Sequence, residues 1–600
     1  MWLKALHAES RKNKSLCYFR QLLLRHPIKG FELDTFGRYL SSLKPSKEFP
    51  SLKVAILATS SSQPLANAIR VEILKEGFFG EIYEAPFGAL QQEIFNKQSG
   101  LYSFNPDLIL LSFDFEKLEK IPKRPLKKRT IDSFISDNKK TFNQIWKYLT
   151  QNLKGQILQN AFVPPAYLLA NPGERLEPWA YFNFVEKLNY CLRKTKSAKV
   201  FWIDVDRLAC SVGLDNWHDP RFFHQSSYPF ALQFLPNYGN LFGATLREII
   251  GRAPKALIVD LDDTLWGGVV ADDGLDGIKL GPDTPEGAAF TNFCKYLKLL
   301  NERGIILGIC SKNELKNAIQ VFENHQHMPL KWSDFSVCRC NWNSKEKNLI
   351  EISKELNIDP SAIVFADNNP AECELIRQKL PMVKVVELND DPALFIKKID
   401  NNYFFHKQCF FHEDLVRLKS YKSSKEIKLN KNQKNLTKFL KSLQMTGKVK
   451  IAEQNEFPRL AELESKTNQF NLSTRRLKIT ELKNLKTKKN VFIVSGYLKD
   501  RFANHGLISY CIAQKNCKKL TIEDFLMSCR VFSRTFEFFF LKKLLKIVDS
   551  TKINRIKFNF RSTQKNNPIK LFLKSCGINR KNKFETRVEN LKKKLVTYIK

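Results

Sequence analysis

Ala256-Leu-Ile-Val-Asp-Leu-Asp-Asp-Thr-Leu-Trp266 is the stretch from which the rest of this chain is read. Its apolar start, Ala256 to Val259, predicts a short buried β-strand. Two acids spaced i, i+2 follow, Asp260 and Asp262, and then Thr264. In a parallel α/β sheet the carboxyl ends of the strands are where ligands bind. Side chains alternate along extended chain, so both acids can serve one site if the strand stays extended past its end. Paired carboxylates beside a divalent cation suit phosphoryl chemistry, as a nucleophile, an acid/base and a charge screen. Alone, the pattern is also that of an acidic loop after a strand.

Three further pieces follow in order. Ile305 to Cys310 is a second apolar run and ends in Ser311-Lys312-Asn313. Lys345 lies in a polar loop, Asn341-Trp-Asn-Ser-Lys345. Ala362 to Ala366 is a third run and ends in Asp367-Asn-Asn-Pro370. Strand–acid, strand–Ser, loop–Lys, strand–acid resembles the haloacid-dehalogenase (HAD) superfamily of aspartyl-phosphate enzymes. Asp260 to Val270, Asp272-Asp-Gly274 and Ile278-Lys-Leu-Gly281 narrow it: the chain resembles FkbH-like proteins, HAD phosphatase subfamily IIIC, from about Gly213 to Glu537.

That resemblance implies roles. Asp260 would be the nucleophile, and Asp262 the group that protonates the leaving oxygen and then activates water. Ser311 and Lys345 would hold the transferring phosphoryl oxygens, and Thr264 would contact substrate. Mg²⁺ would bind through Asp260 and Asp367, with Asp262 counted in the same acidic set. Where the family commonly has Asp-Asp-Asn-Pro, this chain has Asp367-Asn368-Asn369-Pro370, one carboxylate fewer.

Composition bounds the rest. At 600 residues the chain exceeds one core and predicts several domains. Mean hydropathy is −0.33, and no apolar run is long enough to span a bilayer. The first residues lack the apolar segment of a signal peptide. Thirteen cysteines without framework spacing fit reduced thiols. A cytoplasmic protein without a membrane partner is the expectation. Cys338-Arg-Cys340 with His325-Gln-His327 is the one cluster of metal-type residues, and it reads more simply as a strand and a turn. The net charge is +37, and residues 551–600 carry 15 Lys+Arg against 2 Asp+Glu. No nucleic-acid-binding motif accompanies this excess, so an acidic protein partner or a phosphorylated substrate is expected rather than nucleic acid.

The chain divides into four stretches, and the fold class is multidomain α/β. Residues 1–245 alternate strands (Lys53–Ala58, Asp107–Ser112, Lys199–Asp204) with helices, which argues a parallel sheet. The region resembles an SGNH-hydrolase-like doubly wound domain. Thr59-Ser-Ser-Ser62 offers hydroxyls but no Gly-Asp-Ser, and Ser62 is expected to cap the helix that Pro64 opens. Asp215-Asn-Trp-His218 matches the Asp-x-x-His of such hydrolases, although the surrounding residues match an FkbH-family segment instead; a scaffold or carrier-docking role is the preferred reading. Residues 246–401 form the HAD-like Rossmann-type domain, where Gly267-Gly268 predicts a tight flap hairpin. Residues 402–450 read as a basic helical connector.

Residues 451–600 resemble a GNAT-like acyltransferase domain. For acyl transfer, Cys529 beside Arg530 is a candidate thiol, and His505 a candidate base; each also reads as a structural residue. Asn468, Asn471 and Arg475 fit hydrogen bonding to a polar acyl group, or loop closure. The family has Gly at the positions of Ser533 and Thr535.

The resemblance implies a bifunctional enzyme. It would dephosphorylate a phosphoglyceryl-type substrate, 1,3-bisphosphoglycerate, and load the acyl group on the phosphopantetheine thiol of an acyl carrier protein, as in polyketide biosynthesis. Two alternatives stay open: a Mg²⁺-dependent phosphatase with a degenerate acyltransferase domain, and a non-enzymatic basic scaffold for a carrier protein or nucleic acid.

Overall fold

Among the described residues three sheets organise the protein, as seen in a computed structural model. It describes residues 16–599 apart from 27, 46–47, 166–172, 196–199, 409–439, 442, 468–469, 501–503, 529–530, 532–533, 550–552, 564–565 and 580–581. Contacts divide the chain into two compact units. One is Met1–Glu248 with Ile399–Gln408, and the other is Ile249–Lys398 with Cys409–Lys600.

The first unit opens with helices Leu16–Arg25 and Gly30–Ser42. Its strands are β1 (Ser51–Ala58), β2 (Phe79–Glu84), β3 (Leu108–Ser112), β4 (Gln156–Asn160) and β5 (Val200–Ile203). They pair in the order β2-β1-β3-β4-β5, all parallel. Near-continuous apolar runs such as Leu108–Leu111 are what a sheet covered on both faces demands, and these four residues are buried. The segment after the second unit's sheet returns here. The Gln408 side chain accepts from Trp202 N and donates to Trp202 O, both at 2.6 Å. An amide side chain thus satisfies the free backbone edge of β5. The expected connector therefore contributes residues 402–408 to this unit, while its remainder up to 439 lies outside the described residues.

In the second unit, β6 (Ala256–Val259), β7 (Ile306–Ser311), β8 (Phe335–Cys340), β9 (Ile363–Asp367) and β10 (Lys384–Glu387) form a parallel sheet in the order β10-β9-β6-β7-β8. The order reverses beside β6, which is central: β9 lies on one side and β7 on the other. Helices Pro285–Glu302, Leu315–Asn324, Lys345–Leu356 and Pro370–Lys379 connect the strands. Ile258, Ile306, Val337, Ile352, Phe365 and Ile376 pack as one buried cluster. Full burial of each side chain contributes about 1.5–3 kcal/mol, which fixes the strand ends that carry the polar residues.

The third sheet contains β11 (Thr446–Ile451), β12 (Val491–Lys499), β13 (Asn504–Asn516), β14 (Lys519–Met527), β15 (Arg555–Phe558) and β16 (Glu585–Arg587), in chain order. All pairs are antiparallel except β14–β15. Helix Phe536–Ile547 lies between those two parallel strands in the chain and buries five apolar side chains besides Phe536. β11 corrects the helical reading of the residues before 450: Thr446-Gly-Lys-Val-Lys-Ile451 is extended and pairs with β12. Among the described residues no helix is long and apolar enough to cross a membrane.

A candidate phosphoryl-transfer site at the end of β6

Because β6 is central, three strand ends converge on one point. Asp260 N bonds to Ala366 O at 3.0 Å, so the pairing with β9 continues one residue past the strand. Asp260 thereby emerges beside Asp367, the last residue of β9. Lys345, the first residue of the helix after β8, places Nζ 3.0 Å from Asp260 Oδ1 and 2.5 Å from Asp367 Oδ2. Asp260 is 8%, Lys345 3% and Asp367 0% exposed. Buried charges are costly unless paired, and here one ammonium faces two carboxylates. Burial pulls the Lys345 ammonium down, but the two carboxylates outweigh it and hold its pKa above the ordinary value. Burial and then the neighbouring Asp260 push Asp367 up to about 6, against the pull of Lys345.

Asp262 is held apart from this cluster. Its Oδ1 accepts from Trp266 Nε1 at 2.9 Å and Val270 N at 3.2 Å, and its Oδ2 accepts from Asn313 Nδ2 at 3.0 Å. Burial raises its pKa, while the donors from Val270 and Trp266 oppose that rise. Two acids two residues apart thus have different environments, which is what separates a nucleophile from a proton carrier. Asn313, 4% exposed, and Trp266, fully buried, were not assigned roles from sequence. The only sequence hint was that Asn313 directly follows Ser311-Lys312.

Ser311 ends β7, is 2% exposed, and lies opposite Cys340 of β8. Thr264 is fully buried, and its hydroxyl faces Asn368 Oδ1 at 3.5 Å. That contact links the β6 and β9 loops. Asn369 caps the helix Pro370–Lys379 by accepting from Ala371 N at 2.9 Å, while its own N–H donates to Asp367 Oδ1 at 2.9 Å. The expected flap hairpin is also different. Gly267 bridges Lys279, and a short helix, Val270–Gly277, fills the interval. Gly268, at φ +92°, donates its N–H to Asp263 Oδ1 at 2.7 Å, so the paired glycines serve the entry to that helix.

The donor set fits Mg²⁺. Asp260 and Asp367 offer hard oxygens, and Asp260 Oδ1 is buried without a hydrogen bond of good geometry. Mg²⁺ needs only one or two protein carboxylates, with water or substrate phosphate completing its shell. Among the described residues no three or more His, Cys, Asp or Glu side chains converge as a metal cluster, those of Cys338, Cys340, His325 and His327 included. Asp262, counted with the acidic set from sequence, has donors on both oxygens, from Trp266, Val270 and Asn313.

The remaining candidates are scattered. In the third sheet His505 Nε2 is 2.7 Å from Asp500 Oδ2, and Arg534 Nε is 3.3 Å from the same oxygen; all three side chains are buried. His505, read from sequence as a candidate base or a structural residue, is fully buried against Asp500. Asn471 is fully buried and closes its loop, donating to Thr467 O at 3.0 Å and accepting from Thr474 N at 2.7 Å. Arg475 is half exposed, 3.5 Å from Glu523. Asn468, Cys529, Arg530 and Ser533 lie outside the described residues. Thr535 is at φ +60°, ψ +20°, the left-handed region that favours glycine. In the first unit Ser62 does not cap its helix; its hydroxyl donates to Glu84 at 2.7 Å. Ser61 donates to Ser226 O and Thr59 to Asp114, while His218 Nε2 faces Pro164 O at 3.4 Å. Among the described residues none of these hydroxyls bonds to His218.

Residues 53–242 match the family model for FkbH, N-terminal domain. A crystal structure of the N-terminal part of the protein BF1531 from Bacteroides fragilis, containing a phosphatase domain complexed with Mg, is 28% identical. It covers 64% of this chain and 100% of its own, with a TM-score of 0.57. Two acetyltransferases match weakly. The ribosomal-protein-S18-alanine N-acetyltransferase of Escherichia coli is 10% identical over 22% of this chain and 78% of its own, TM-score 0.19. A GNAT-family acetyltransferase of Streptococcus pneumoniae is 11% identical over 24% and 95%, TM-score 0.17. No curated protein sequence matches the chain.

Proposed function

We propose that this chain, whose residues 53–242 match the FkbH N-terminal family, is a Mg²⁺-dependent phosphatase. We propose further that it transfers the acyl group of a phosphoglyceryl-type substrate to a carrier-protein thiol. One observation carries the phosphatase part: Asp260, Lys345 and Asp367 form a buried cluster at the end of β6, and Asp262 is held separately by Trp266, Val270 and Asn313. Bound Mg²⁺ would supply charge neutralisation for the transferring phosphoryl group. Asp260 would attack phosphorus as its bond to the ester oxygen breaks, and protonated Asp262 would give that oxygen its proton. Asp262 would then take a proton from water as the water attacks the aspartyl phosphate, releasing inorganic phosphate and restoring Asp260. The Lys345 ammonium would stabilise charge on the phosphoryl oxygens with no reorganisation during reaction.

The transfer step rests on the sequence resemblance and on the third sheet, where β14 and β15 run parallel in an otherwise antiparallel array. With 1,3-bisphosphoglycerate, a carrier thiol would displace phosphate from the acyl carbon, and the aspartate site would remove the ester phosphate. Intact-protein mass spectrometry of a holo carrier protein tests this reading, with Mg²⁺, 1,3-bisphosphoglycerate and an Asp260→Asn control. A dephosphorylated glyceryl adduct on the carrier, absent with the control, is the expected result. Phosphate release with no adduct would leave a phosphatase with a degenerate acyltransferase domain. That second reading is favoured by Thr535, a β-branched residue at a left-handed position.

A further inference from the structure

A cavity of about 270 Å³ opens in the first unit, lined by segments that follow β3 and β4 in the chain, among them Pro164, whose carbonyl faces His218. Its size is just below the usual range for small-ligand sites, and in parallel sheets the segments that follow the strands are where ligands bind. One wall is the segment between β3 and the helix Lys128–Asn152, which contributes Lys123 and Arg124 between Pro122 and Pro125. Prolines on both sides restrict the backbone that presents the two cations. Trp179, Tyr181 and Phe182, all partly exposed, also line the cavity. Arg175 spans the two kinds of chemistry: its guanidinium stacks over the Phe182 ring, 4.1 Å from the centroid. Lys123, Arg124 and Arg175 have no ion pair among the described residues, and Glu174 is the one carboxylate in the lining.

We propose that this pocket binds a phosphorylated ligand with a planar ring, of mononucleotide size. Stacking on Trp179, Tyr181 or Phe182 would hold the ring, since aromatic side chains accept any base by its π-face. Lys123, Arg124 and Arg175 would hold the phosphate by charge-assisted hydrogen bonds. Glu174 would accept from a sugar hydroxyl. An uncharged aromatic ligand would leave three cations unused, and a bare anion would leave the aromatic wall unused. The proposal is independent of the reaction assigned to Asp260.

The test is isothermal titration of full-length protein carrying Asp260→Asn, so that the probe is not hydrolysed. The probe is AMP, compared with adenosine and inorganic phosphate. Saturable submillimolar binding of AMP is expected, with each comparator at least about tenfold weaker. Lys123→Ala/Arg124→Ala and, separately, Phe182→Ala should each weaken AMP about tenfold or more with unchanged melting temperature. Phosphate binding as tightly as AMP would overturn the proposal in favour of a general anion patch. AMP binding unchanged in both variants would place it elsewhere on the chain, and no saturable heat at millimolar AMP would also overturn it.

Discussion

Replacing Lys345 with methionine keeps the length of the side chain and removes its charge. The ammonium sits 3.0 Å from Asp260 and 2.5 Å from Asp367, all nine-tenths buried or more. At an effective dielectric of ~20, a unit pair at that range attracts by ~5 kcal/mol. Much of that offsets desolvation already incurred on folding. What matters is the state left behind: two buried carboxylates facing each other with no cation. Breaking a buried pair by removing one partner costs about 3–5 kcal/mol. The carboxylates relieve part of this by sharing a proton, so the lower half of that range is expected at pH 7. The assay is urea unfolding followed by tryptophan fluorescence, with and without Mg²⁺. Lys345→Met should lose about 3 kcal/mol without metal, and Mg²⁺ should stabilise it more than it stabilises the unmodified protein. Adding Asp367→Asn to Lys345→Met should recover part of the loss, because it removes the repulsion. Phosphatase turnover should fall by about 10²–10³. A Lys345→Met protein within ~0.5 kcal/mol of the parent, with turnover intact, would refute the placement of Lys345 between two charged acids.

Three other outcomes follow from the geometry. Thr535→Gly should raise stability by about 1 kcal/mol, read from the urea midpoint, because the native φ of +60° strains a β-branched residue; a loss of stability would show that its hydroxyl contacts outweigh the strain. Asn313→Ala removes a donor to Asp262, so the proton-carrying group should titrate higher and the corresponding limb of the kcat/KM profile should move up in pH; an unmoved limb counts against Asp262 as that group. Glu464, buried against Asp524 and bonded by the Tyr510 hydroxyl, is pushed up to about 9, mainly by burial and then by Asp524. An acid raised above its unfolded value of about 4.3 costs nothing below that pH and costs progressively more stability as pH rises toward the folded value. Unfolding free energy should therefore decline from about pH 5 to 9, and Glu464→Gln, which mimics the protonated acid, should flatten that decline. Parallel pH curves for the two proteins would contradict it.

The parts of the site that were legible in sequence are those where local pattern and function coincide. β6, β7 and β9 are unbroken apolar runs ending in a polar residue, so Asp260, Ser311 and Asp367 mark both the strand end and the candidate site. Lys345 has no such local mark; order along the chain and the family resemblance pointed to it. Asn313 and Trp266 stayed hidden because their role exists only once Asp262 turns toward them, and Asn313 comes from a neighbouring strand's loop. Gly267-Gly268 was misread because a left-handed glycine serves a helix entry as well as a hairpin. β11 was hidden by lysines on an edge strand, where charge guards against aggregation while masking the β pattern. His505, between Asn504 and Gly506, read from sequence as a candidate base or a structural residue. Its burial is set by Asp500 and by Arg534, and the latter arrives from a distant part of the chain.

In the proposed reaction Asp260 takes the phosphoryl group. Acid quench during turnover of 1,3-bisphosphoglycerate with Mg²⁺, followed by peptide mass spectrometry with hydroxylamine treatment, tests it directly. A hydroxylamine-labile phosphoryl adduct on the peptide containing Asp260, accumulating in Asp262→Asn and absent in Asp260→Asn, is the expected result. Phosphate release at an undiminished rate from Asp260→Asn, with no phosphorylated aspartate at any time point, would contradict it.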